Sequence, residues 1–161
     1  MAMEIQEQIK KSIRDAGNLY QKLILLVGKS GSGKTKMIQE ISKEFDAPMI
    51  NVNLEMSCHL LDLPVDKRAS TLSKLFSEVI KNSESDIVLL DNIEILFDKS
   101  LQQNPLALLL TNSKNKAMIA AWNGKIESGR LIYAKPEHHE YWSYPIEKTG
   151  ITINLNSSQA E

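Results

Sequence analysis

The sequence holds a single cysteine, Cys58, and only three arginines, Arg14, Arg68 and Arg130. One cysteine excludes an intramolecular disulfide and a cysteine-based zinc site, and it suits a reducing cytoplasm. Neither sign of charge dominates: 19 Lys plus Arg stand against 20 Asp plus Glu, a net charge of -1. No chain-wide field therefore draws in nucleic acid or anionic lipid, and any polyanion must be met by a local patch. Long hydrophobic runs are missing too. The opening MAMEIQEQIKKSIRD is amphipathic and charged, without the apolar core that a signal peptide or membrane span requires, so the expectation is a cytoplasmic protein with no membrane partner. There is no internal repeat, low-complexity tract or linker. With 161 residues, 42% of them hydrophobic, the chain suits one compact domain.

What is present is an alternation of apolar patterns. Ile5, Ile9 and Ile13 recur every four residues in a charged background, which predicts a short helix and sets residues 1–20 apart as an N-terminal amphipathic segment. Leu23 to Val27 are uniformly apolar, as in a strand buried on both faces. Met37, Ile38, Ile41 and Phe45 then follow helical spacing until Asp46-Ala47-Pro48 breaks it. A strand is expected over 49–53. Leu72, Leu75, Phe76, Val79 and Ile80 mark a helix face, and Ile87 to Leu90 a short strand ending in Asp91. Asn104 followed by Pro105 reads as an N-cap and first helical position. Residues 117–122, 131–133 and 151–155 are further strands, and 156–161 form a polar, frayed tail. Strands alternating with helices predict a three-layer α/β domain over 21–155, with a mostly parallel five-stranded sheet.

Gly28-Lys29-Ser30-Gly31-Ser32-Gly33-Lys34-Thr35 fits G-x-x-x-x-G-K-[ST] and lies between a buried strand and an amphipathic helix. Glycines let successive backbone N–H groups point inward around phosphate oxygens, and the helix N-terminus adds its positive end. In this P-loop, Lys34 is placed to reach the β- and γ-phosphates of ATP, and Thr35 to offer a hydroxyl to magnesium. Asp91, closing an apolar strand, is the carboxylate expected in the same metal shell. The bland alternatives are a glycine-rich turn and a strand-end aspartate; the matching flanks favour the phosphate reading.

Hydrolysis further requires an oriented water. Many ATPases place an acidic residue directly after the strand-end aspartate, but Asn92 stands there, and the next carboxylate is Glu94. Glu94 is a candidate base if the chain has already turned out of the strand, and a solvated charge otherwise; Glu55 is a weaker alternative. Asn123 has the type and position of a polar group that senses the γ-phosphate, although Asn123-Gly124 also suits a turn. Among the arginines, Arg130 or Arg68 could serve a neighbouring subunit's site as an arginine finger. His138-His139 lacks spacing to further metal ligands. Tyr133, Tyr141, Trp142 and Tyr144 suit the core edge better than a base-stacking platform.

The segments LLVGKSGSGKT, NVNLEMS, LLDNIEILFDKSLQQNPLALL and AAWNGKIESGRLIYAKPEHHEYWSYP together resemble the BrxF family, small P-loop proteins of type III BREX phage-exclusion systems. The resemblance spans about Leu23 to Pro145. It implies an AAA+-like sheet in which Gly28 to Thr35, Asp91 and Asn123 correspond to Walker A, Walker B and sensor 1. It also implies antiphage work beside other BREX components, and no room for the usual helical lid. The expected function is a magnesium-dependent ATPase that acts by assembling with itself or with BREX partners, with weak or assembly-dependent DNA binding. A regulatory module that holds ATP without turnover is the alternative, favoured by Asn92. A small-molecule kinase is a third reading, weakened by the scarcity of arginines. Neither N-K-x-D nor D-x-x-G is present to argue for a GTPase.

Overall fold

The computed structural model describes residues 2–156. Five helices and seven strands alternate along the chain: α1 (Ala2–Ala16), β1 (Leu23–Gly28), α2 (Lys34–Phe45), β2 (Met49–Asn51), α3 (Val52–Leu60), α4 (Val65–Asn82), β3 (Ile87–Asp91), α5 (Pro105–Thr111), β4 (Ala117–Glu127), β5 (Arg130–Tyr133), β6 (Trp142–Pro145) and β7 (Ile151–Asn154). Short 3-10 turns occupy Glu94–Phe97, Lys99–Leu101 and Ile146–Lys148. The strand order is β2-β3-β4-β1-β7, and every pairing along it is parallel. These are the five strands of a parallel core. β5 and β6 extend it as an antiparallel hairpin that grows from the far end of β4.

The uniform hydrophobicity of β1 is explained by its position. Leu23, Leu25 and Val27 face one core layer together with α3, α4 and α5, while Ile24 and Leu26 face the other with α1 and α2. All five are fully buried, the expected condition of a central strand in a doubly covered sheet. The stripe on α1 packs within the domain: Ile9 is 0% exposed and belongs to the same buried cluster as Ile24, Ile38 and Ile153. Lys10 ties the helix to α2 through Glu44 at 2.7 Å.

Three expectations need correcting. Residues 49–53 are not one strand: β2 ends at Asn51, whose side chain accepts the Leu54 N–H at 3.1 Å and caps α3. A polar residue able to satisfy a free helical N–H ends the strand there. Second, 117–122 is only the first part of β4. Asn123-Gly124 is no turn, because Asn123 pairs with Gly28 and Gly124 continues into the β5 ladder; the turn falls at Ser128-Gly129, both at positive φ. Third, the sheet holds seven strands rather than five, with the parallel order kept: Trp142–Pro145, whose mixed pattern hid it, forms β6 beside β5. The aromatic residues do line the core: Phe97 stacks on Tyr133 at 3.5 Å and meets Trp122 edge-on at 5.2 Å. Asn104 caps α5 as expected, accepting from Ala107 N–H at 3.2 Å. Of the polar tail assigned to 156–161, residues 157–161 lie outside the described residues.

Candidate functional site

β1 ends at Gly28 and α2 begins at Lys34, so the P-loop crosses the carboxyl ends of the parallel strands, where open α/β sheets bind their ligands. Gly31 and Gly33 stand at φ 85° and 94°, and a Cβ at either would meet nothing within 4 Å. Backbone conformation, not space, therefore requires glycine at both positions. Lys34 is 6% exposed, and its ammonium donates to the carbonyls of Gly28 and Lys29, each at 2.8 Å, and to Ser32 Oγ at 3.3 Å. Burial lowers its pKa, against the opposing pull of the Glu94 and Asp91 carboxylates.

Asp91, 5% exposed, ends β3 beside the P-loop. Thr35 Oγ1 donates to its Oδ2 at 2.8 Å, and the Asn92 N–H donates to its Oδ1 at 3.0 Å. A hydroxyl and a carboxylate oxygen held this close form a hard-oxygen pair of the kind that magnesium takes alongside water and phosphate. The residues fit that ion.

Asn92 adopts φ 53°, a left-handed conformation that turns the chain sharply out of β3. Glu94 then opens a 3-10 turn and, half-buried, lines the same cavity as the P-loop. Asn123 Nδ2 donates to its Oε2 at 2.6 Å, and Asn53 Nδ2 to its Oε1 at 3.3 Å. Burial pushes the Glu94 carboxyl above its ordinary pKa; Asp91 adds to the shift, while the Asn53 hydrogen bond and Lys34 oppose it. A cavity of about 350 Å³ unites Ser30, Gly31, Gly33, Lys34, Thr35, Asp91, Glu94 and Asn123.

The sequence did not single out Asn53. From the first turn of α3 it donates to Glu94, and it also accepts the Ile95 N–H at 2.7 Å, so it fastens the 3-10 turn as well as the carboxylate. Its partners lie 41 and 42 residues away, and the only sequence signal was a second asparagine two residues after Asn51. Other expected residues are not brought to the cavity. Glu55 lines a separate groove at the β2 edge. Arg68 lies beside Leu61 and Leu101 and donates to the Leu63 carbonyl. Arg130 is exposed on the β5–β6 hairpin, where its guanidinium donates to Ser143 Oγ at 2.6 Å and to the Ser143 carbonyl at 3.1 Å. It does not line its own chain's phosphate cavity.

Residues 24–123, from β1 through Asn123, match the family model described as ATPase family associated with various cellular activities (AAA). The chain belongs to the AAA family. The matched span contains every residue of the cavity just described. Solved structures agree with this AAA fold. A DNA replication initiation factor superimposes with a TM-score of 0.55 at 18% identity, covering 92% of this chain and 44% of that one. The AMPPCP-bound DnaA of Aquifex aeolicus gives 0.54 at 19%, with the same coverage. A replication initiator DnaA bound to AMPPCP and single-stranded DNA gives 0.52 at 20%, again over 92% and 44%. The AAA chain thus spans less than half the length of these proteins, and the likeness is one of fold. No curated protein matches it significantly. No helix among the described residues is long and apolar enough to cross a membrane.

Proposed function

We propose that this AAA chain is a magnesium-dependent ATPase of the cytoplasm that works in BREX-type antiphage defence by assembling with itself or with partner proteins. The observation that carries hydrolysis is the position of Glu94, held over the P-loop by two amides and within electrostatic reach of Lys34 and Asp91. A carboxylate there serves as the base that orients and deprotonates an attacking water, the role left open by Asn92. Lys34 and the P-loop N–H groups bind the phosphates, and Asn123 positions Glu94 at the γ-phosphate end. Magnesium, held by Thr35 and Asp91, would neutralise developing phosphate charge. Arg130, free of its own cavity, acts in trans if the site is completed between subunits.

The BREX role rests on the resemblance, and the segments that carry it supply Glu94 and its surroundings: LLDNIEILF contains Asp91 and Glu94, AAWNG contains Asn123, and NVNLEMS contains Asn53, which holds Glu94 from outside the cavity lining. One structurally similar protein was solved with single-stranded DNA; for this chain, the net charge of -1 supports only weak or assembly-dependent DNA binding. A second reading, an ATP-holding switch without turnover, is favoured by one observation: both Glu94 oxygens already accept hydrogen bonds from amides.

Phosphate release from ATP and magnesium, measured across a protein concentration series beside a Lys34→Ala control, tests the proposal. Lys34-dependent turnover that rises faster than linearly supports an ATPase assembled between subunits. ATP binding with no release at any concentration, with or without DNA, rejects the ATPase for the isolated chain and leaves the switch.

A further inference from the structure

A second concavity lies apart from the P-loop cavity. A groove of about 980 Å³ opens at the β2 end of the sheet, between α3, the end of α4 and the loop after α2. Its floor contains Ile50 and Val79, and its rim carries Asp46, Glu55 and Glu84. No lysine or arginine lines it among the described residues. Nearby Lys116 is committed to the carbonyls of Ile80 and Ser83. Charge of one sign around an apolar floor is complementary to a basic ligand with aliphatic stems, as lysine provides.

Two further observations bear on what fits. β2 is the outermost strand of the sheet, with β3 on one side only. The Leu89 N–H donates to the Pro48 carbonyl at 3.1 Å, which sets the phase of the parallel ladder so that the Met49 main chain faces away from β3. Met49 is also one of the exposed large hydrophobic residues, at 36%, on the sheet face opposite Ile50. Second, Ser83 Oγ, in the groove wall, is the one buried side-chain polar atom among the described residues that has no hydrogen-bond partner. Buried polar atoms are almost always paired, and this one becomes reachable by a ligand group only if the groove wall shifts.

We propose that the β2 edge and its groove form a docking site for an extended basic peptide segment of a partner protein, which adds to the sheet as a sixth parallel-core strand. Main-chain bonds to Met49 supply affinity, alternate lysine or arginine side chains reach the Asp46, Glu55 and Glu84 rim, and the intervening apolar side chains cover Met49. Nucleic acid is excluded by the acidic rim. The docking does not depend on the ATPase reading, because its readout is binding to the nucleotide-free chain.

The test uses fluorescence anisotropy with a labelled eight-residue peptide alternating lysine and valine. Saturable binding is expected, weaker by about tenfold or more when glutamate replaces lysine, and weaker again when the peptide is N-methylated along its hydrogen-bonding edge. The protein variants Glu55→Lys and Glu84→Lys, checked by thermal melting to be folded, are expected to lose about tenfold each. Equal binding of the glutamate peptide, indifference to N-methylation, or full binding by both variants would overturn the proposal. So would sedimentation showing a self-association that the Glu84→Lys change abolishes, since the occupant would then be a second copy of this chain.

Discussion

Asn123 Nδ2 lies 2.6 Å from Glu94 Oε2, joining the residue that follows the buried apolar run Ala117–Trp122 of β4 to the first residue of a 3-10 turn that leaves β3. Glu94 shares one cavity with the P-loop residues Gly33, Lys34 and Thr35. Glu94 is there because Asn92, at positive φ, redirects the chain within one residue of Asp91.

Lys34→Ala removes the buried ammonium of the cavity and leaves the Gly28 and Lys29 carbonyls without that donor. ATP affinity is expected to fall by about 100-fold, the loss of two charge-assisted contacts. Titration calorimetry with ATP and magnesium measures it; unchanged affinity would place the nucleotide elsewhere.

Asp91→Asn keeps the shape but reduces the charge that a cation would meet beside Thr35. Magnesium is expected to add little to ATP affinity in this variant, whereas in the parent chain it strengthens binding. Paired titrations with magnesium and with EDTA give the comparison.

Glu94→Gln is expected to lower turnover by about 100-fold or more while leaving ATP binding within about threefold of the parent. Because burial raises the folded-state pKa of Glu94, the folded protein holds this proton more tightly than the unfolded chain. Its contribution to stability is fully present below the unfolded pKa and is lost as pH rises through the folded one. The melting temperature of Glu94→Gln relative to the parent should therefore be more favourable at pH 8 than at pH 4. In the parent, the acid limb of turnover should lie above the ordinary carboxylate range, since Glu94 must be ionised to accept a proton.

Asn53→Ala cuts the Glu94 contact and strands the Ile95 N–H. A loss of about 1–3 kcal/mol is expected in urea unfolding, as for a buried donor left unpaired. If Asn53 positions Glu94, kcat should change more than KM, and Asn53→Asp should not restore it, because a carboxylate cannot donate to Glu94. A stability loss with unaltered kcat would make Asn53 a structural residue only.

Gly124→Ala tests the passage from the parallel sheet into the hairpin. An added Cβ would lie 2.0 Å from the Ile132 carbonyl oxygen and 2.8 Å from Trp122 Nε1, which itself donates to that carbonyl. The backbone cannot absorb such a contact without moving β5, and a destabilisation of about 1–3 kcal/mol or more is expected by thermal or denaturant unfolding.

Much was determined by the sequence alone, wherever a signal was local. The run Leu23 to Val27 was legible as a doubly buried strand, and the P-loop string between it and an amphipathic stretch as the strand-to-helix loop it is, because both depend on residues adjacent in the chain. The place of Asp91 at the end of β3 was legible for the same reason. Local patterns did not resolve 49–53, where Asn51 is compatible with strand or cap, nor Trp142–Pro145, whose burial depends on packing over Asn104 and Trp122.

Only the tertiary structure decided what surrounds Glu94. Asn53, Glu94 and Asn123 come from three separate elements, and they meet because β2, β3 and β4 lie side by side in parallel, each delivering its carboxyl end to the same edge of the sheet. The same topology sends Arg130 away from the cavity on a hairpin and leaves β2 as an open edge. Sequence spacing specifies which residues share a strand; the order of the strands specifies which residues share a site.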